Sequence, residues 1–142
     1  MRFDDLQSER GYDGMDAYCR SKLANVLFTR ELAKRLEGTG VTANVAHPGW
    51  VRSGFGMDGD LTGVQAFGVK AMRPFQISPK RGARTSVYLA TSTSPDVVAS
   101  SGQYWVRSKP GRMSRAARND GTSARLWEES EKLLTSAGYA VV

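Results

Sequence analysis

The spacing of apolar and polar positions predicts a long helix near the start of the chain. Apolar residues recur at intervals near 3.6 from Ala17 to Leu36, with charged residues on the opposite side, which is typical of an amphipathic helix. Gly38 and Gly40 follow, and glycine commonly stands just past the last helical turn. The stretch before about Asp16 is polar and contains glycine, so we expect a loop there.

Two short strand candidates follow this helix. Residues 41–46 form the first, which the sequence His47-Pro48-Gly49 would stop, and residues 102–106 form the second. A helix between them is expected to begin at Ser78-Pro79, because serine is a favoured N-cap residue and proline is favoured at the first helical position. This helix is expected to end near Thr91.

Further helical segments complete an α/β pattern. Residues 61–72 are apolar with weak periodicity and predict a loose helix, and a last helix is expected from about Thr122 to Gly138. Its predicted buried residues are Leu126, Trp127, Leu133 and Leu134. A helix between two strands indicates a parallel crossover. Because open parallel sheets usually have four or more strands, we expect residues 1–142 to form a single partial domain of a larger fold.

Length and composition favour a soluble protein. The 142 residues are 40% hydrophobic and 24% charged, which is ordinary for one globular domain. The sequence contains no run of the roughly 20 apolar residues that span a bilayer, and its first residues lack the apolar core of a signal peptide. Cys19 is the single cysteine, so an internal disulfide is excluded. We therefore expect a cytoplasmic location.

The net charge of +6 resides mainly in two basic stretches. Residues 61–95 contain no Asp or Glu, and neither do residues 107–118. Pro, Gly and Ser interrupt the second stretch and no aromatic residues interleave its cations, which favours a solvated surface over a specific nucleic-acid interface. Charge alone would give weak affinity for any polyanion or anionic lipid. The sequence therefore predicts no specific nucleic-acid partner and does not by itself indicate membrane contact.

The candidate chemistry lies in Tyr18 and Lys22. The two residues are four positions apart, so on a helix they share one face. The lysine ammonium favours the phenolate form of a nearby tyrosine, and such a tyrosine can exchange a proton with an alcohol or carbonyl oxygen. A bare Y-x-x-x-K pattern is common, however, and by itself more often marks a half-buried tyrosine and a surface lysine.

The context of this pair resembles the short-chain dehydrogenase/reductase family. Tyr18-x-x-Ser21-Lys22 opens a long helix, a short strand follows, and residues 48–53 read P-G-W-V-R-S. The family has the same Y-x-x-S-K helix start and a P-G-x-V-x-[ST] turn after the next strand. The resemblance implies the C-terminal half of a Rossmann-like doubly wound parallel sheet, whose N-terminal dinucleotide-binding half is missing from these residues.

Other segments are similar to the retinol dehydrogenase-like branch of that family. Residues 3–7 and 18–34 resemble it most, residues 101–105 resemble a late strand of the family, and residues 124–130 resemble the final helix of the branch. Residues 61–79 match least. The resemblance implies an NAD(P)-dependent oxidoreductase that interconverts an alcohol and a carbonyl, with an apolar small-molecule substrate and a homo-oligomer as a further option.

The resemblance also implies residue roles. Tyr18 would be the general acid/base, and Lys22 would tune it and hydrogen-bond the nicotinamide ribose. The other cofactor contacts would come from the turn after the strand, at Pro48, Gly49, Val51 and Ser53. Pro48 and Gly49 would shape the turn beside the nicotinamide, while Val51 would offer its backbone to the carboxamide. Either NAD or NADP fits, because the residues that choose between them belong to the missing half.

The sequence lacks a phosphate-binding loop. Residues 54–59 match G-x-G-x-x-G, but they do not stand between a strand and a helix, and no acidic residue follows at the required distance. The family's G-x-x-x-G-x-G loop is absent. We therefore expect residues 1–142 alone to be a weak or inactive enzyme. The alternative is a non-catalytic interaction module or fragment that pairs with a homologous subunit.

His47, Cys19 and Ser21 are expected to have structural roles and not catalytic ones. His47 is the single histidine and lacks the partners that a hydrolase or a metal site would need, so we expect it to be structural and predict no metal. Cys19 is expected to be a small helix-packing residue. Ser21 is expected to lie in helix packing or beside the ribose.

Overall fold

The computed structural model describes residues 1–52, 68 and 73–141. The G-x-G-x-x-G match at residues 54–59 lies outside the described residues. So does the predicted loose helix at 61–72, except for Gly68.

The long first helix, α1, spans Gly14–Arg35. It begins earlier than the hydrophobic pattern predicts because Asp13 caps it: the Asp13 carboxylate accepts a hydrogen bond of 2.8 Å from the Asp16 backbone N–H. An N-cap of this kind stabilises a helix by about 1 kcal/mol. The predicted loop before the helix is therefore shorter than expected.

The strands form one small mixed sheet. Strand β1 is Val45–His47, β2 is Tyr104–Val106 and β3 is Lys109–Pro110. The order is β1-β2-β3, with β1 parallel to β2 and β2 antiparallel to β3. The parallel pair confirms the predicted α/β fold with a crossover. His47 lies within β1 and not in the turn after it, so the predicted strand is displaced along the chain.

From Arg73 onward, the described part of the crossover from β1 to β2 includes the short α-helices α2 at Pro79–Gly82, α3 at Arg84–Thr91 and α4 at Pro95–Val98. The predicted cap is confirmed, because the Ser78 hydroxyl accepts a 3.3 Å hydrogen bond from the Arg81 N–H. The predicted end at Thr91 is also confirmed. The sequence pattern predicted neither the break at Ala83 nor α4.

The last helix, α5, spans Asp120–Ser136. Its cap is Asn119, whose side chain accepts a 2.9 Å hydrogen bond from Thr122 N–H, so the helix begins two residues before the predicted start at Thr122. Leu126 is buried as predicted and Trp127 is partly buried. The prediction for Leu133 and Leu134 was wrong: both are exposed, because the observed side-chain contacts of α5 with α1 lie in its first half.

Helices α1 and α5 pack through aromatic and cationic side chains. The rings of Phe28 and Trp127 stack with centroids 5.3 Å apart and planes 7° from parallel. The Arg35 guanidinium lies over the Trp127 ring at 4.5 Å. Such aromatic pairs contribute roughly 0.5–1.5 kcal/mol beyond the area they bury. This contact fixes the C-terminal helix against the helix that carries Tyr18.

An ion pair at the start of α5 supports the same contact. Hydrogen bonds from Arg30 and Lys34 hold the pKa of the Asp120 carboxyl below its usual range. A carboxylate with a lowered pKa contributes stability that is present above its ordinary pKa and lost as the pH falls through the lowered value. The α1–α5 contact is therefore expected to weaken in acid.

The sheet core is centred on Trp105 in β2, which is 2% exposed. Tyr88 of α3 lies against it, with ring centroids 6.1 Å apart, and Leu27 of α1 is fully buried. Within the described ranges, no helix combines the length and the apolar character that crossing a bilayer requires.

Candidate active site

The first turns of α1 bring Tyr18 and Lys22 together. The Lys22 ammonium nitrogen lies over the Tyr18 ring, 5.2 Å from its centroid. Residues four apart on a helix are neighbours on one face, which explains why the spacing produces this contact. Both side chains are exposed, Tyr18 by 41%, so a solute can reach the pair.

This pair lies toward the carboxyl edge of the parallel strands. The C-terminal part of α1 marks the opposite, amino edge, because a Cβ built on Gly102, just before β2, would lie 3.4 Å from the Ala33 Cβ. Helix α1 packs against β1. Tyr18 stands 15 residues before Ala33, which is about 22 Å along a helix at about 1.5 Å per residue. The N-terminal turns of α1 therefore point toward the edge where β1 and β2 end.

The turn after β1 lies at this same edge. Gly49 has φ = +82°, a conformation that glycine adopts without steric penalty. The Gly49 N–H donates a 3.0 Å hydrogen bond to Nδ1 of His47. His47 thus stabilises the turn, in agreement with the structural role expected for it, and Pro48 stands between the two bonded residues.

The turn is held in place by Ile77. The Ile77 N–H donates to the Trp50 carbonyl and the Arg52 N–H donates to the Ile77 carbonyl, both at 2.9 Å, so Val51 and Ile77 form a parallel bridge. Helix α2 also packs closely here, because a Cβ on Gly82 would overlap the Val51 side chain. The backbone at Val51 is therefore fixed on two sides.

The residues present fit a nicotinamide ring and its ribose. A Cβ on Gly49 would lie 3.1 Å from Ile77 Cδ1, so Ile77 packs tightly against the turn at Gly49. The exposed Lys22 supplies hydrogen-bond donors for ribose hydroxyls. Ser53, the remaining predicted contact, lies outside the described residues.

Replacing Gly49 with alanine is expected to destabilise the chain more than replacing Gly38 with alanine. Both glycines have φ near +80°, but a Cβ on Gly38 would meet nothing within 4 Å. Gly38→Ala should cost about 1–2 kcal/mol for the left-handed backbone alone. Gly49→Ala should cost about 1 kcal/mol more because of crowding by Ile77. Urea unfolding of both variants measures this difference, and equal losses would show that the turn is not confined.

Arg20 is a positioning residue that the sequence analysis did not identify. Its guanidinium forms an ion pair with Asp16 at 2.9 Å and donates to the Asp5 carbonyl at 3.2 Å and to the Ser8 hydroxyl. Arg20 thereby ties the segment before α1 to the helical turn that carries Tyr18. The Asp16–Arg20 spacing of four was the available signal, but the contacts to residues 5–8 depend on the tertiary fold.

The structure also shows the surroundings of Cys19 and Ser21, the two residues near Tyr18 in α1. Cys19 is exposed, so its prediction as a helix-packing residue was wrong; it lies on a side of α1 that no described element covers. The Ser21 hydroxyl donates a 2.8 Å hydrogen bond to the Tyr18 carbonyl. This bond satisfies the Ser21 hydroxyl within the helix.

Comparison with known proteins gives consistent matches. The chain is 43% identical over 136 residues to retinol dehydrogenase 14 of Mus musculus and 46% identical over 132 residues to retinol dehydrogenase 12 of Homo sapiens. These matches cover 94% and 93% of the chain but 40% of the length of each relative. A crystal structure of an uncharacterized protein from Mycobacterium paratuberculosis matches with a TM-score of 0.64 and 30% identity, over 94% of this chain and 44% of that one. No family model matches the chain.

The fold and the site together define the C-terminal part of an α/β protein with a Tyr-x-x-x-Lys helix at the carboxyl edge of a parallel sheet. The chain belongs to the short-chain dehydrogenase/reductase family, in the branch of the retinol dehydrogenases, and corresponds to a C-terminal portion of its relatives.

Proposed function

We propose that the chain supplies the proton-transfer side of an NAD(P)-dependent oxidoreductase that interconverts an alcohol and a carbonyl. The observation that carries this proposal is the exposed pair of Tyr18 and Lys22, with the ammonium 5.2 Å from the ring centroid. The names of the relatives, retinol dehydrogenases 12 and 14, support an apolar alcohol or its carbonyl as the substrate class.

Tyr18 exchanges the proton of the reaction. In the oxidation direction the substrate hydroxyl gives its proton to Oη of the Tyr18 phenolate as the carbonyl forms, and in reduction the Tyr18 hydroxyl returns a proton to the substrate oxygen. The Lys22 ammonium lies 5.2 Å from the centroid of the Tyr18 ring, so a positive charge stands beside the tyrosine during the proton transfer. The hydride chemistry would be supplied by a nicotinamide cofactor when it is bound beside Tyr18 and Lys22.

The turn after β1 positions the cofactor. We assign to it the residues Pro48, Gly49, Val51 and Ser53, and we assign to Lys22 the hydrogen bonds to the ribose hydroxyls. Support comes from the confined backbone of this turn, which Ile77 holds through two 2.9 Å hydrogen bonds. Rigid placement of reacting groups lowers the entropic part of a barrier.

Residues 1–142 alone are expected to bind NAD(P)H weakly. The sequence contains no G-x-x-x-G-x-G loop, and such a loop at a helix N-terminus holds the cofactor phosphates in proteins of this kind. A fluorescence titration with NAD(P)H should give a dissociation constant above about 1 mM, a binding free energy weaker than about −4 kcal/mol.

The matched protein for this titration is a chimera in which residues 1–142 replace the corresponding part of human retinol dehydrogenase 12. The chimera should bind the cofactor saturably and turn over an apolar alcohol. Tight, saturable binding of NAD(P)H by residues 1–142 alone would contradict the proposal that the cofactor phosphates are held by residues outside this range.

A second candidate is a non-catalytic module that pairs with a homologous subunit. It is favoured by the outer edge of β1, since β1 pairs with β2 on one side and no strand among the described residues covers the other. Unpaired strand edges readily accept another strand. A chimera that binds NAD(P)H but shows no turnover, together with self-association of residues 1–142, would support this function over the first.

Three expectations remain predictions made from the sequence: a cytoplasmic location, a single partial domain and the option of a homo-oligomer.

A further inference from the structure

Exposed cations from both basic stretches of the sequence gather at one edge of the fold. The Ser108 N–H at the tip of the β2–β3 hairpin donates a 3.2 Å hydrogen bond to the Thr85 hydroxyl at the start of α3, so the two stretches meet there. Helix α2 lies alongside, because a Cβ on Gly82 would overlap the Val51 side chain in the turn after β1. We name the exposed cations of these segments the basic rim: Arg52, Lys80, Arg81, Arg84, Arg107 and Lys109.

The charges of the basic rim are not neutralised within the described part of the chain. No rim residue forms an ion pair there, whereas cations elsewhere, such as Arg30 and Lys132, pair with carboxylates. Asp96 is the one acidic residue between positions 61 and 119. It borders the same surface cavity as Gln103, which precedes β2 and so lies at the opposite edge of the sheet. The rim therefore presents a positive field to the solvent.

The acidic residues at the start of α1 do not cancel this field. Residues 1–22 contain five carboxylates and four cations, so the segment is close to neutral. Three of its carboxylates form ion pairs with arginines of the same segment, namely Asp4, Asp5 and Asp16. The basic rim therefore sets the sign of the charge at this edge.

The basic rim borders the edge that carries the candidate active site. Val106 ends β2 and pairs in register with His47, which ends β1. Arg107 and Pro48 are the next residues of the two strands, so the hairpin tip and the turn after β1 leave the sheet side by side. An anion that approaches this turn therefore enters the field of the rim.

The rim is suited to attracting an anion and not to retaining one. Its cations come from four separate segments, the turn after β1, α2, α3 and the hairpin, and every one of them is exposed to solvent. Interactions between exposed charges are weak individually. Their summed potential nevertheless raises the rate at which an oppositely charged ligand arrives.

We propose that the basic rim steers the anionic nicotinamide cofactor to the edge that carries Tyr18 and Lys22. This inference rests on the proposed function, because it takes a nicotinamide dinucleotide as the ligand. The pyrophosphate of the cofactor is anionic, and NADPH carries one phosphate group more than NADH, which adds a charge of about −1.5 to −2 at pH 7. The rim should therefore accelerate the association of NADPH more than that of NADH and leave dissociation unchanged.

Two matched variants differ in the place from which a pair of charges is removed. Arg81→Gln/Arg84→Gln removes two charges from the basic rim. Arg115→Gln/Arg118→Gln removes two exposed arginines, also three positions apart. They belong to the segment before α5, whose two ends bond to the C-terminal half of α1, at the opposite edge of the sheet. Thermal unfolding followed by circular dichroism confirms that both variants fold like the parent.

The field of the rim can be measured on residues 1–142 without any cofactor. Trp50 is 45% exposed and lies beside the rim, because Ile77, just before α2, donates a hydrogen bond to its carbonyl. Iodide, an anion, should concentrate near Trp50, whereas neutral acrylamide should not. The contribution of Trp50 to the quenching is the difference between each protein and its Trp50→Phe derivative. At constant, low ionic strength the ratio of iodide to acrylamide quenching should fall about twofold in the rim variant and change little in the control.

The kinetic test uses the chimera and follows energy transfer from tryptophan to bound NADPH after rapid mixing. The rim variant should associate about three- to tenfold more slowly than the parent at about 0.01 M salt, and the difference should vanish at about 1 M, where the Debye length is about 3 Å. The dissociation rate should stay within about twofold of the parent, because charges at the border of a site act mainly on association. NADH should show a smaller effect than NADPH.

Equal association rates in the rim variant and the control would overturn the proposal, and so would equal ratios of iodide to acrylamide quenching. An effect that persists at high salt, or that appears mainly in dissociation, would also contradict steering. These results leave the proposed function intact, because turnover of the parent chimera tests it separately. A chimera that binds NADPH with rim-dependent rates but shows no turnover would overturn the proposed function and support the steering.

Discussion

Replacing Tyr18 with phenylalanine is expected to lower kcat of the chimera by about 10²–10⁴-fold and to leave cofactor affinity within about twofold. The substitution removes a single oxygen, and a positioned general acid/base contributes a factor of this size. The ring that lies under the Lys22 ammonium is retained. The change therefore tests the phenolic oxygen and not the packing of α1.

The matched control for this prediction is Tyr12→Phe. Tyr12 is 78% exposed and lies in the segment just before α1, so the same atom is removed close by without touching the pair. Turnover of this variant should match that of the parent. Equal activity of the Tyr18 and Tyr12 variants would refute the role assigned to Tyr18.

Replacing Trp105 with alanine is expected to lower the free energy of unfolding by about 3–5 kcal/mol. Trp105 is 2% exposed at the centre of the sheet, so its removal leaves a cavity that the short strands cannot close. Because small domains are stable by only about 5–15 kcal/mol, this variant should be near the limit of folding. Urea unfolding followed by circular dichroism measures the loss.

Trp105→Phe is the companion variant. The Trp105 Nε1 is buried and has no hydrogen-bond partner in the described part of the chain, so phenylalanine removes an unsatisfied donor along with some volume. Its cost should be less than half that of alanine. If Trp105→Ala lowers the free energy of unfolding by less than about 1 kcal/mol, Trp105 does not stabilise the core.

The sequence predicted the elements that local patterns specify. Helix α1 followed from its period of apolar residues, and the start of α2 followed from Ser78 and Pro79, because caps and periodicity act within a few residues. Strand β3 was not predicted, because the hairpin turn uses Arg107 and Ser108 at φ of +52° and +59°, where glycine or asparagine is the usual signal.

The candidate site likewise has a part that the sequence could predict and a part that depends on the tertiary fold. The contact of Tyr18 with Lys22 could be predicted, since helical spacing alone creates it. The support of the turn after β1 by Ile77 could not, because residues 50–52 and 77 meet through the tertiary fold. The exposure of Cys19 was missed for a related reason: the pattern of α1 does not reveal which of its sides the neighbouring elements cover.

The most direct test of the account is a single-turnover measurement on the chimera and its Tyr18→Phe variant at saturating cofactor. It follows the nicotinamide absorbance after mixing with an apolar alcohol. We predict that the cofactor saturates both proteins at the same concentration, while the absorbance change slows by at least about 100-fold in the variant. An unchanged rate in the variant would mean that another group moves the proton.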